Sequence, residues 1–192
     1  MKVFVIAIIL SLLFVGLLVA GGIGIWYIGT RNDLIKLDET INQSMAEIDN
    51  QLQRRSDLIP NFVNTVKGYA AHEQQVYNDI ADARSRLAGA STVEEKAAGY
   101  NDMQSALARL LVVVEQYPDL KANQNFIALQ DELAGTENRL AVARKRYNDS
   151  ITTFNVRIRQ FPGSIVANRM GFVPHAYFEI AETSRQVPTV QF

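Results

Sequence analysis

From Val3 to Ile28 the chain carries no charged residue, and it never does so again over such a length. The run reads VFVIAIILSLLFVGLLVAGGIGIWYI, with Ser11 as its only weakly polar member. As a helix, about 26 residues extend about 39 Å, against a hydrocarbon core of about 30 Å, so a tilted span is expected. Trp26 and Tyr27 stand at its C-terminal edge, where interfacial aromatics prefer to lie. A cleaved secretory signal is the alternative. Against it, the segment before the run holds only Lys2, and the run is about twice as long as a signal's apolar core. The best cleavage position, after Ala20, would also put Leu18 where a small residue is wanted. An uncleaved single-pass anchor is therefore expected, and with no cysteine to acylate it is not a lipoprotein anchor.

The rest of the chain is long enough for one domain with a core and too short for two. The expected organisation is an anchor over 1–29, a helical-bundle domain over 30–183 and a flexible tail over 184–192. Taking Lys2 from the 19 basic residues leaves 18 against 20 acidic ones. Such a balance predicts neither a nucleic-acid partner nor electrostatic adhesion to anionic lipid. The absence of cysteine removes disulfides, thiolate metal sites and cysteine nucleophiles.

The body reads as long helices. Ile41, Ile48, Arg55, Phe62, Tyr69, Val76 and Ala83 recur at seven-residue spacing. Met45, Leu52, Ile59, Val66, Glu73, Ile80 and Leu87 follow four residues on. Two rows at that offset make one stripe on a helix. The phase persists across Pro60, so one bent helix is expected from Ile41 to Leu87. After the break at LAGAS, Ser91 and Thr92 followed by Glu94 and Glu95 offer capping boxes for a second helix. That helix shows Met103, Leu107, Leu110, Leu111, Val114 and Tyr117 on one face and is interrupted at Pro118. A third helix repeats Phe126, Leu133, Leu140, Tyr147, Phe154 and Phe161 at intervals of seven and is closed by Pro162-Gly163. Ile165 to Met170 is a short apolar stretch, and His175 to Thr183 a brief helical candidate. Wide stripes and short breaks favour an all-α fold, an up-and-down antiparallel bundle of three long helices with a shorter C-terminal helix, over an intermolecular coiled coil. The expected core includes Ile48, Leu52, Ile59, Phe62, Val66, Tyr69, Leu133, Leu140, Tyr147 and Phe154, with Phe161 grouped among the core aromatics.

Several segments resemble one family. These are DNQLQRRSDLIPNFVNTVKGYAAHE (Asp49 to Glu73), YPDLKANQNF (Tyr117 to Phe126), LQDELAGTENRLAVARKRYN (Leu129 to Asn148), FNVRIRQFP (Phe154 to Pro162) and the pair Gly171-Phe172. In order and spacing they resemble the LemA family, over nearly the whole chain. The resemblance implies a bacterial single-pass membrane protein with a helical-bundle body, some of whose relatives are associated with magnetosome membranes. It implies no established reaction and no agreed catalytic residues.

Polar residues within apolar rows are the candidate functional positions. Arg55 and Glu73 interrupt the first stripe, while Gln130, Glu137 and Arg144 lie seven apart on the third helix. Buried charge is costly unless paired, so these residues are expected to pair across helices, with Glu137 and Arg144 as preferred partners of Arg55 and Glu73. Their role is read as a register-fixing or partner-binding polar seam. The basic clusters Arg54-Arg55 and Arg144-Lys145-Arg146 are otherwise best explained as solvated faces. In the anchor, Gly16, Ala20 and Gly24 are four apart and line one face, suited to close helix approach.

No catalytic, cofactor or metal residue is assigned. His72-Glu73 opens like a metalloprotease motif, but the second histidine would fall at Val76. Gly-rich phosphate loops, nucleophile elbows and kinase motifs are absent from the sequence. The expected function is a non-enzymatic scaffold tethered to the bacterial inner membrane, in contact with the lipid bilayer, self-associating or holding a protein partner. A carboxylate- or metal-dependent hydrolase in the bundle seam is the alternative. A signalling stalk would need an effector domain, and none is expected beyond the tail. Arg31 and Lys36 after the run outweigh Lys2 before it, favouring a cytoplasmic body.

Overall fold

The computed structural model describes residues 2–179, all helix and connection with no strand among them. The helices are α1 (Lys2–Lys67), α2 (Gln74–Gly89), α3 (Val93–Val114), α4 (Pro118–Lys121), α5 (Gln124–Arg159) and α6 (Gly163–Met170). The all-α reading, with one long apolar N-terminal helix, a bundle and a short C-terminal helix, describes this architecture. The chain divides into two compact units: residues 1–41 with 150–175, and residues 42–149 with 176–192.

In the second unit, α1 pairs with α5 through Arg54–Glu132 and Arg55–Glu137, both 2.7 Å. α2 pairs with α3 through Arg109–Asp79 (2.8 Å) and Arg86–Asp102 (3.4 Å). The order of partners reverses between α2 and α3, and between α1 and α5 from Arg55–Glu137 to Phe62–Phe126, as antiparallel neighbours require. One core joins them: Ile59, Phe62 and Val66 from α1, Tyr77, Ile80 and Ala83 from α2, Met103, Leu107 and Leu110 from α3, and Phe126 and Leu133 from α5. Phe62 stacks on Phe126 at a centroid distance of 5.1 Å.

Local chemistry explains the boundaries. Thr92 and Glu95 complete a capping box at the start of α3: Glu95 N–H donates to Thr92 Oγ1, and Thr92 N–H donates to Glu95 Oε2, each at 3.1 Å. Backbone donors from Ser91 and then Thr92 hold the Glu95 carboxyl below its ordinary range. Asn123 begins α5 by accepting from the N–H groups of Asn125 and Phe126. Helix α1 runs through Pro60, which has no N–H to offer the carbonyl of Ser56. Arg84 on α2 supplies the missing donor, its Nε 3.1 Å from that oxygen.

Four expectations are corrected. The single helix from Ile41 to Leu87 is two helices: α1 ends at Lys67 and α2 begins at Gln74. The sevenfold count survives the reversal, so Val66 and Ile80 keep phase although they lie on different helices. Tyr69 therefore falls in a connection and is 43% exposed rather than core. Phe161 lies beyond the end of α5 and is 82% exposed. The C-terminal helical candidate is displaced: His175 to Glu179 is not helical, residues 180–183 lie outside the described ones, and α6 takes the Ile165 to Met170 stretch instead.

In the first unit, Leu34 and Ile41 of α1, Ile151, Phe154 and Ile158 of α5, and Val166 and Ala167 of α6 are buried. Gly163 opens α6 where a Cβ would stand 2.8 Å from the Arg157 carbonyl oxygen, too close for any other residue without movement. Gly171 closes α6 at φ 75°, a left-handed cap natural to glycine. The chain then crosses back. Asn155 brackets the backbone of His175, accepting from its N–H and donating to its carbonyl, both at 3.0 Å. His175 Nε2 lies 2.8 Å from Asp38 Oδ1, and its ring stands edge-on to Phe154.

Candidate functional site

Arg55 lies in the apolar stripe of α1, on the face that meets α3 and α5, and its side chain is only 6% exposed. A guanidinium placed there needs acceptors. Its Nη1 donates to Glu137 Oε2 at 2.7 Å, and its Nη2 to Gln104 Oε1 at 2.6 Å. Gln104 Nε2 turns back to Glu137 Oε2 and to the Tyr100 hydroxyl, each at 2.9 Å. Tyr100 donates to the other Glu137 oxygen. Arg144 approaches that oxygen at 3.9 Å and covers the Tyr100 ring at 5.2 Å. Three helices thus meet on one carboxylate. Nε of Arg55 and Nε of Arg144 remain buried without a protein partner.

The structure brings together three of the four expected seam residues: Arg55, Glu137 and Arg144. Glu73 is elsewhere, at the N-cap of α2, with no side-chain capping bond. Gln130 is exposed. Of the two basic clusters read as solvated faces, Arg54, Lys145 and Arg146 are exposed, whereas Arg55 is buried and Arg144 only 12% exposed on its side chain. Tyr100 and Gln104 were missed. Their signal was present: Tyr100, Leu107 and Val114 are seven apart on the buried face of α3, and Gln104 follows Tyr100 by one turn.

Burial pushes the Tyr100 hydroxyl up to about 12, helped by its bond to Glu137 and opposed by the Arg144 and Arg55 charges. The neutral phenol is therefore favoured in the folded state. Its stabilising contribution is complete below the ordinary value of 10.0 and is lost as pH rises through about 12. Two units correspond to about 2 kcal/mol after allowance for screening. Tyr100→Phe should remove this part of the alkaline loss of stability. Thermal unfolding of both chains across that pH window, with tyrosinate absorbance as the probe of ionisation, checks it.

Beside the carboxylate lies an open groove of about 260 Å³, lined by Phe62, Leu107, Leu111 and Leu133 together with Arg55, Gln104 and Glu137. As chemistry, the arrangement is an ionised acceptor already engaged by an arginine, an amide and a phenol. A general base needs a free lone pair aimed at substrate, and the oxygens of Glu137 are directed at its own neighbours. Among the described residues no group of three or more histidine, cysteine or carboxylate side chains could hold a metal ion. His72 is exposed in the connection before α2.

The anchor candidates lie on α1. Among the described residues this is the one helix long and apolar enough to cross a membrane. Gly16, Ala20 and Gly24 are exposed, and a Cβ at either glycine would meet nothing within 4 Å.

The model of the LemA family matches residues 44–192. Protein LemA of Metamycoplasma hominis is 28% identical over 164 residues, covering 83% of this chain and 73% of its own. Magnetosome protein MamQ 2 of Paramagnetospirillum magneticum is 25% identical over 174 residues, covering 77% of this chain and 64% of its own. Magnetosome protein MamQ of Magnetospirillum gryphiswaldense is 25% identical over 173 residues at the same coverage. This chain thus spans a little under two thirds of the MamQ proteins.

Proposed function

Because this chain belongs to the LemA family, we propose that it is a membrane-anchored helical scaffold that self-associates or holds a protein partner at the bacterial plasma membrane, without catalysis. The supporting observation is the pairing of an exposed apolar span with a seam whose carboxylate is engaged by its own chain. A span sets where the body works. A seam of this kind fixes which helices pair and in what register, the best-attested use of buried charge. The functional boundaries are an anchor over 1–29, a bundle over 30–183 and a tail over 184–192, the tail lying outside the described residues. The body faces the cytoplasm, on the excess of Arg31 and Lys36 over Lys2. Association runs through Gly16, Ala20 and Gly24, where small residues let two helix backbones approach in lipid.

A hydrolase is the second reading, favoured only by the groove beside Glu137. It requires Glu137 to leave Arg55 and Tyr100.

Crosslinking in intact cells tests the scaffold reading. A lysine-reactive reagent that crosses the plasma membrane should trap the chain with a second copy or another protein. A reagent that cannot cross it should leave the body unmodified. A chain recovered only alone with the permeant reagent contradicts the scaffold, and trapping by the impermeant one reverses the orientation.

A further inference from the structure

We propose that the corner between α5 and α6 is a second membrane contact, seated in the headgroup layer of the same bilayer that α1 crosses. It rests on the reading of α1 as a membrane span. The first observation is its level along α1. Within the first unit α1 and α5 run in opposite senses: Asp33 meets Arg157 (3.7 Å), while His175 links Asp38 to Asn155. Asp33 stands five residues past Ile28, the last residue of the apolar run, or about 7.5 Å along the helix. From Arg157 the chain of α5 heads back toward that run, ends about 3 Å further on at Arg159, and Phe161 follows in the turn. Phe161 therefore lies near the end of the apolar stretch, where Trp26 and Tyr27 mark the interface.

The second observation is what the corner exposes. Phe161 is 82% exposed and Ile165, in the first turn of α6, 54%. Single exposed apolar side chains are ordinary. Two so close in the chain, where it turns near the end of the apolar run, are what an interfacial element needs.

The third is charge. From Ser150 to Phe178 the sequence holds no aspartate or glutamate, while Arg157, Arg159 and Arg169 fall within it. Arg159 and Arg169 are both exposed. Arg157 is answered by Asp33 of α1, so Arg159 and Arg169 are the exposed cations offered to anionic lipid. A contact at this corner would fix the tilt and rotation of α1, which a lone span leaves to its neighbours.

Depth-resolved fluorescence tests the proposal on the full chain in vesicles containing anionic lipid. Trp26 is the only tryptophan, so the native chain reports the span alone. Trp26→Phe with Phe161→Trp moves the reporter to the corner, and Ile165→Trp in the same background is a second reporter should the first fail to fold. The expected result is blue-shifted emission at either position, quenched by lipid spin-labelled near the headgroup to within about twofold of Trp26. Quenching by aqueous iodide and not by labelled lipid would overturn the contact while leaving the span intact. Shielding from both quenchers would overturn it too, since a protein surface would then cover the corner. A Trp26 that labelled lipid does not reach would overturn the span and this proposal together.

Discussion

Arg55→Ala is expected to lower the stability of the chain by about 3 kcal/mol, the low end of the range for breaking a buried ion pair. The low end applies because the Glu137 side chain keeps 29% exposure and its other partners. The change leaves Glu137 without its 2.7 Å donor and Gln104 Oε1 without its 2.6 Å donor. A group left unpaired in a site of low dielectric costs more than the pair contributed. A double-mutant cycle with Glu137→Gln, followed by thermal unfolding of the full chain in detergent, separates the two effects. Coupling above about 1 kcal/mol marks a buried pair, and coupling near zero marks a solvated one. The cycle should therefore give a clear coupling. A vanishing value would mean that the seam does not hold α1 to α5.

Leu140→Ala should cost about 2–5 kcal/mol. Leu140 is fully buried, one turn beyond Glu137 on α5. Removing its branched end deletes contacts and leaves a cavity that a helical seam can close only in part. Val142, 51% exposed on the same helix, provides the control. Val142→Ala should fall within about 0.5 kcal/mol of the native chain. Equal melting temperatures for the two variants would place the stripe of α5 on the wrong face.

Sequence periodicity located most of the core because burial follows the helical repeat. Ile48, Leu52, Ile59, Phe62, Val66, Leu133, Leu140, Tyr147 and Phe154 are all buried. The same periodicity hid the break after Lys67. A connection whose length completes the repeat leaves the phase unchanged, so counting cannot detect it. The local signal was Lys67 in a last turn followed by Gly68, a helix-stop pattern that the unbroken rows outweighed. Glu73 was misplaced for this reason: read as a seam residue, it belongs to the turn.

Phe161 shows the opposite error. It keeps the sevenfold spacing of α5 but follows the last helical residue, Arg159, so its position no longer points to the core. The seam was half legible. Charge in an apolar row marked Arg55, and charge repeating beside one marked Glu137 and Arg144. The α3 repeat marked Tyr100 as buried, but that it and Gln104 would bond to Glu137 depended on how α3 packs against α1 and α5. Arg84 is similar: Pro60 announces an orphaned carbonyl at Ser56, yet only the packing of α2 shows which donor answers it.

The claim that the chain assembles through its apolar helix is tested most directly by native mass measurement. The full chain in detergent is compared with a chain starting at Thr30, and with one carrying Gly16→Ile and Gly24→Ile. The account predicts a multiple of the single-chain mass for the full chain, with both altered chains shifted toward one copy. An identical assembly in all three would contradict it and assign association to the bundle instead.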